Sequence, residues 1–112
     1  MAPEFKPLSW FLKNLKHVPD YASFWVPTET SELYSDLSCI VVEEDIDLSD
    51  EELRLRESKL KELGLKELLS KEQIEDVEGN LRAQVTNYNL EDLISATDYY
   101  WKHDAYSVAN NA

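Results

Sequence analysis

The sequence predicts an α+β fold with a short N-terminal helix, a small antiparallel sheet and a helical C-terminal half of about three helices. Two aromatic and β-branched runs lie close together in the first half, and three capping-box patterns lie in the second half. The chain contains no Gly- or Ser-rich linker and no internal repeat. We therefore expect a single compact acidic domain that covers residues 1–112.

The first predicted element is a short amphipathic helix within KPLSWFLKNLKHVP. Pro7 suits the first helical position, because the N–H that proline lacks would have no helical partner there. One face of this helix is apolar and consists of Leu8, Phe11, Leu12 and Leu15. We expect the helix to stop before Pro19.

Two strands are predicted next, and we expect them to be antiparallel neighbours. The first covers YASFWVP at residues 21–27, and the second covers SCIVVEED after the polar stretch 28–36. Strand alternation sends Phe24 and Trp25 to opposite faces of the sheet. Only one of these two side chains therefore needs to lie in the core.

Three helices are predicted from capping boxes, in which an N-cap side chain and the side chain three residues later each accept a backbone N–H. The pairs are Ser49 with Glu52, Ser70 with Gln73, and Asn89 with Asp92. Apolar residues at helical spacing follow each cap: Leu53, Leu60 and Leu63; Ile74, Val77, Leu81 and Val85; Leu90, Leu93, Ile94, Thr97, Tyr100 and Trp101. Gly64 is predicted to end the first of these helices, since glycine adopts positive φ easily.

The net charge of −12, from 23 acidic and 11 basic residues, argues against several classes of function. Direct nucleic-acid binding rests on Lys and Arg side chains that neutralise phosphates. Binding to an anionic membrane surface is disfavoured for the same reason, and no apolar run approaches the ~20 residues of a transmembrane helix. The first residues lack the features of a secretory signal, which predicts a cytoplasmic protein. A protein with a basic surface is the natural partner.

The acidic segment, residues 43–52, holds seven acids and no base. It does not fit a calcium loop counted from Asp45, because Asp50 occupies the place of the turn glycine and Arg56 that of the twelfth-position acid. Three of its acids, Asp50, Glu51 and Glu52, are typical of the first turn of a helix, where the dipole favours anions.

The remaining acids of the acidic segment allow two interpretations. If the strand continues, Glu43, Asp45 and Asp47 form a row on one face, roughly 6 to 7 Å apart. Such a row can protect an edge strand from aggregation. It can also pair with the Lys and Arg residues of a nucleic-acid-binding protein. We favour a binding surface, and its predicted members are Glu43, Glu44, Asp45, Asp47, Asp50 and Glu51.

No catalytic, cofactor-binding or metal-binding residue is predicted, and we expect a protein that is not an enzyme. The sequence contains no Gly-rich phosphate loop, GxSxG, HExxH or CxxC motif. His103 is followed by Asp104, but adjacent helical side chains point about 100° apart and do not form a base and its orienting acid. Cys39 is the single cysteine, and its β-branched neighbours predict a buried, unreactive thiol.

Two aromatic residues, Tyr99 and Trp25, are predicted to anchor a protein partner. Tyr99, Tyr100 and Trp101 are consecutive in the last predicted helix and cannot all face one core, so Tyr99 is predicted to be exposed. Trp25 is a candidate because its neighbour Phe24 can fill the core instead. Such residues are enriched at interfaces. Packing of Tyr99 over a neighbouring helix is an equally open alternative.

A family resemblance lies in three segments, FLKNLKHVPD, LGLKELLSKEQIEDVEGNL and ISATDYYWKHDAY. They look like a group of small acidic bacterial proteins that are similar in size and charge to immunity proteins of polymorphic toxin and contact-dependent growth-inhibition systems. The resemblance implies a cytoplasmic protein that binds and neutralises a cognate toxin domain, often a basic nuclease. Two other classes stay open: a nucleic-acid-mimicking inhibitor of a DNA-binding or defence protein, and a non-catalytic adaptor subunit.

Overall fold

A computed structural model describes residues 5–43 and 47–104 of the protein. The described chain forms a four-stranded antiparallel sheet with helices packed on both of its faces. The elements in chain order are β1 (Lys6–Pro7), α1 (Leu8–Lys13), a 3₁₀ turn (Leu15–His17), β2 (Ala22–Pro27), β3 (Ser38–Glu43), α2 (Asp50–Glu62), β4 (Leu65–Ser70), α3 (Lys71–Gln84) and α4 (Leu90–His103).

The strand order is β1-β3-β2-β4, and each neighbouring pair is antiparallel. The pairing of β2 with β3 confirms the two predicted strands and their arrangement. Phe24 on the central strand β2 lies opposite Val41 of β3 and opposite Leu69 of β4. A register shift between Phe24 and Trp25 interrupts the pairing with β4, as a β-bulge does.

Phe24 and Trp25 are both buried, because helices cover each face of the sheet. Phe24 points into the larger core, which α1, α3 and α4 form with one face. Trp25 points into the smaller core, where it packs with Ile40 and Leu65 under Leu60 of α2. The two side chains do face opposite ways, as strand alternation requires. The second face is a core as well because α2 crosses it.

The predicted fold class is contradicted in its arrangement, although the α+β composition and the largely helical C-terminal half agree with it. The described chain begins with a strand, β1, before the first helix, and the sheet has four strands where two were predicted. β1 is two residues long and gives no periodicity to detect. β4 has the sequence LKELLS, whose Leu, Lys and Glu residues are good helix formers. Pairing with β2 overrides that local preference.

The three helix starts predicted from capping boxes and the helix end predicted at Gly64 are confirmed. Side-chain oxygens of Ser49, Ser70 and Asn89 accept from the backbone N–H three residues later at 3.2, 3.1 and 2.8 Å, and all three capping boxes are complete. Gly64 has a φ of 80° and follows Leu63, the C-cap of α2, as predicted for the end of this helix. Pro7 is the N-cap of α1, one position before the place expected for it.

α2 is attached to the rest of the molecule by a small apolar contact. Of its 13 residues only Leu60 is buried, whereas α3 and α4 each bury four residues. Leu55 on the outer side of α2 is 60% exposed. No helix within residues 5–43 and 47–104 is long and apolar enough to cross a membrane.

Candidate functional site

The acidic segment connects β3 to α2. β3 ends at Glu43, and Asp47 and Leu48 lie in a turn and a bend. The row of acids on one strand face, which required the strand to continue, therefore does not extend to Asp47. Glu44 and Asp45, two of the predicted binding residues, lie outside the described residues. The described acids of the segment are consequently divided among the end of β3, the turn at Asp47 and the first turn of α2.

Glu43, Asp50 and Glu51 are exposed to solvent. Glu43 lies opposite Ala22 at the end of the β2–β3 ladder, and its backbone carbonyl accepts a hydrogen bond from Nη2 of Arg56 on α2. Ion pairs among the described residues include Lys71–Asp20, Arg82–Glu78, Lys102–Asp98 and Lys102–Glu32. The carboxylates of Glu43, Asp50 and Glu51 are presented to solvent, and none of them takes part in these four ion pairs.

A cleft of about 180 Å³ opens between α2 and the sheet, next to this group of acids. Trp25 and Val42 line it from the sheet, and Leu53 lines it from α2. Three carboxylates also reach it, each from a different element: Glu57 from α2, Glu67 from β4 and Glu72 from α3. Arg56 is the single basic residue of this lining. The cleft therefore combines an apolar interior with a predominantly negative border.

Tyr21 lies in the lining of the cleft and is 71% exposed. Its φ is 62°, a left-handed conformation that is uncommon for an aromatic residue. Such a conformation is strained and persists only where the surrounding structure holds the residue in place. Residues of this kind cluster at functional sites. The site thus presents an exposed aromatic ring next to carboxylates. No pattern in the sequence indicated a role for Tyr21.

The two predicted aromatic anchors have different environments. Trp25 is 4% exposed, and its Nε1 donates to Ser23 Oγ at 2.9 Å, so its burial in the smaller core corrects its predicted role as an exposed anchor. Tyr99 is 42% exposed, as predicted, and stacks on His103 with ring centroids 4.3 Å apart. α4 and α2 cover opposite faces of the sheet. The structure therefore does not bring Tyr99 to the acidic segment.

The chain matches the model of a protein family over residues 5–108, a span that includes every element from β1 to α4. The family is described as a domain of unknown function, DUF7716. The chain belongs to this family. No curated protein and no solved structure matches the chain.

The described part of this DUF7716 member contains no group of three or more His, Cys, Asp or Glu side chains that could hold a metal ion. The two histidines are both exposed. His17 ends the 3₁₀ turn after α1, and His103 ends α4. These positions place neither imidazole beside the cleft.

Cys39 is expected to resist thiol reagents in the folded protein. Burial raises the pKa of its thiol from 9.0 to about 12, against a smaller lowering by a backbone hydrogen bond from Trp25. Because the thiolate is the reactive form, labelling at pH 8 should be at least about a hundredfold slower than after unfolding in guanidinium chloride. Labelling with a chromogenic disulfide measures both rates. Rapid stoichiometric labelling in native buffer would show that the thiol is accessible.

The raised pKa of Cys39 also sets the direction of a pH effect. The neutral thiol is favoured in the folded state, so its contribution to stability is fully present below pH 9.0. The contribution is lost as the pH rises from 9.0 toward about 12. Replacement of Cys39 by alanine should therefore make the alkaline loss of stability less steep.

Proposed function

We propose that this protein binds and neutralises a cognate toxin of the basic nuclease type, by docking an acidic surface over the toxin's active site. The acidic surface consists of Glu43, Glu44, Asp45, Asp47, Asp50 and Glu51. The observation that carries the proposal is the exposure of Glu43 at the end of β3 and of Asp50 and Glu51 in the first turn of α2.

The chemistry of a nuclease supports this choice of partner. A nuclease binds its substrate with Lys and Arg side chains that neutralise phosphates. Carboxylates that occupy those cationic positions exclude the nucleic acid without any catalytic step. Opposite potentials on the two proteins also accelerate their encounter. We place this function in the cytoplasm, where such a toxin would reach its substrate.

Charge alone does not give a tight complex, because exposed ion pairs contribute little net free energy. Two exposed apolar residues lie near the acidic surface and supply candidate anchors. Tyr21 borders the cleft one residue before Ala22, the strand partner of Glu43. Leu55 lies on the outer side of α2, about one turn after Glu51. Tyrosine side chains that a partner buries are among the residues that dominate the energetics of protein interfaces, and Leu55 would add apolar contact area.

The proposal is tested by capture of the partner from a lysate of the source organism at low and at high salt, followed by an assay of the captured protein. We expect a basic nuclease whose activity the wild-type protein inhibits stoichiometrically. Reversal of three charges, in the variant Glu43→Lys, Asp50→Lys and Glu51→Lys, should weaken the complex at least about tenfold.

The matched control reverses three exposed acids on the other side of the sheet, in the variant Glu75→Lys, Asp76→Lys and Glu91→Lys. Both variants change the net charge equally, so a general effect of charge lowers their affinities alike. A complex that resists both high salt and reversal of the acidic surface contradicts the proposal. A captured nuclease that stays fully active in the complex contradicts inhibition.

A second candidate function, a non-catalytic adaptor subunit, is favoured by an apolar groove beside α1. Trp10 is 44% exposed and borders this groove of about 140 Å³ together with Val18 and Val41. An adaptor would use such an apolar contact in place of charge. In the same capture experiment, an adaptor predicts a salt-resistant partner that is lost with Trp10→Ala and retained after reversal of the acidic surface.

A further inference from the structure

We infer that the cleft between α2 and the sheet receives an arginine side chain of the basic partner. This inference deepens the proposed function and rests on it, since it names the group that the acidic side of the molecule recognises. The ligand class is a guanidinium group on a protein surface.

The dimensions of the cleft suit one side chain. Its volume of about 180 Å³ is below the range of roughly 300–1,000 Å³ that is usual for small-molecule and cofactor sites. The apolar part of its lining includes Trp25, Val42 and Leu60. This lining can contact the methylene stem of an arginine while the charged end stays near the border.

The charged residues that line the cleft favour a cationic ligand. Glu57, Glu67 and Glu72 face one base, Arg56, in the lining. Arg56 already donates from Nη2 to the backbone carbonyl of Glu43, which holds its guanidinium at the end of β3. The lining thus carries three formal negative charges and one positive charge, and this balance makes the potential in the cleft negative. A cationic side chain of the partner complements this potential.

The aromatic and polar groups in the lining favour arginine over lysine. Tyr21 exposes its ring at the cleft, and a guanidinium stacks on aromatic faces more readily than an ammonium. The hydroxyls of Ser23 and Ser70 also line the cleft, and each accepts one hydrogen bond within the protein while retaining a second acceptor position. Arginine presents five N–H donors in a planar fork that can reach several such acceptors at once.

The test is a titration of the whole protein with the peptide acetyl-Gly-Arg-Gly-amide, in which backbone ¹H–¹⁵N NMR spectra are recorded at each peptide concentration. We expect shifts concentrated at Tyr21, Ser23, Ser70 and Glu72. The matched peptide with citrulline in place of arginine keeps the shape without the charge, and should leave these signals unchanged. The double variant Glu57→Gln and Glu67→Gln should bind the arginine peptide at least about threefold more weakly.

The control variant is Glu75→Gln, which removes an exposed carboxylate of α3 outside the cleft and should bind like the wild type. Shifts spread over all acidic regions, or equal weakening by Glu75→Gln, would overturn the cleft as the site. A third peptide, acetyl-Gly-Lys-Gly-amide, is titrated in the same way, and equal shifts with it would overturn the choice of arginine. Melting curves of each variant verify that the exposed substitutions leave the fold intact.

The captured partner separates this inference from the proposed function. If reversal of the acidic surface weakens the complex and the double variant Glu57→Gln and Glu67→Gln does not, the partner leaves the cleft empty and the inference fails while the function stands. If the arginine peptide binds in the cleft but no toxin is inhibited, the function fails and the guanidinium site remains.

Discussion

Replacement of Phe24 by alanine is expected to lower the free energy of unfolding by about 3–5 kcal/mol. Phe24 is fully buried on the central strand of the sheet. Its ring packs edge to face on Phe11 of α1, with centroids 5.8 Å apart. Truncation leaves a cavity between the sheet and α1 that the paired strands prevent from closing. Since a domain has only about 5–15 kcal/mol of stability in total, this loss removes a large part of it.

Denaturant titration and thermal melting measure this change, with Tyr34→Ala as the control. Tyr34 is also aromatic but is 55% exposed, so its truncation should change the free energy of unfolding by less than about 0.5 kcal/mol. Equal losses in the two variants would show that Phe24 does not occupy the centre of the core.

Replacement of Lys71 by methionine is expected to destabilise the protein by about 1–3 kcal/mol. Lys71 is 5% exposed, and its Nζ donates to the Val18 carbonyl at 2.7 Å and to Asp20 Oδ1 at 3.1 Å. Methionine preserves the apolar stem and removes the donor, which leaves the buried carbonyl of Val18 unsatisfied. Lys71 is also the first residue of α3, where a positive charge opposes the helix dipole by about 0.3–1 kcal/mol. The loss of the buried hydrogen bond is the larger of the two effects.

The companion variant Asp20→Asn separates the two partners of Lys71. The Asp20 side chain is 82% exposed, so water screens its ion pair, and we expect less than about 1 kcal/mol of destabilisation. Urea unfolding curves of both variants decide between the two contacts. If Asp20→Asn destabilises as strongly as Lys71→Met, the carboxylate and not the backbone carbonyl holds the buried lysine.

The elements that the sequence predicted correctly are those fixed by local chemistry. Each capping box specifies a helix start with a motif of only four residues, which begins at Ser49, Ser70 or Asn89. Gly64 specifies a helix end. β4 was missed because its residues prefer a helix, and only the pairing with β2 makes them a strand. Alternation placed Phe24 and Trp25 on opposite faces, but it does not reveal whether a helix covers the second face.

In the candidate site, too, one part could be predicted from the sequence and another part could not. Composition alone identified the acidic segment, because seven acids without a base are visible in the sequence. No sequence pattern predicts the cleft. Its carboxylates Glu57, Glu67 and Glu72 belong to three different elements, which only the folded structure brings together. The left-handed backbone of Tyr21 has no sequence signal either, because no glycine or asparagine occupies the position.

The position of β2 between β3 and β4 affects how the chain can emerge during synthesis. β3 follows β2 after ten residues, but β4 arrives only after the whole of α2. Until Ser70 has left the ribosome, the strand ASFWVP has one unpaired edge. Apolar strands with bare edges pair readily with other chains. A chain truncated within α2 would therefore be prone to aggregate, because it lacks β4, which pairs with that edge of β2 in the described sheet.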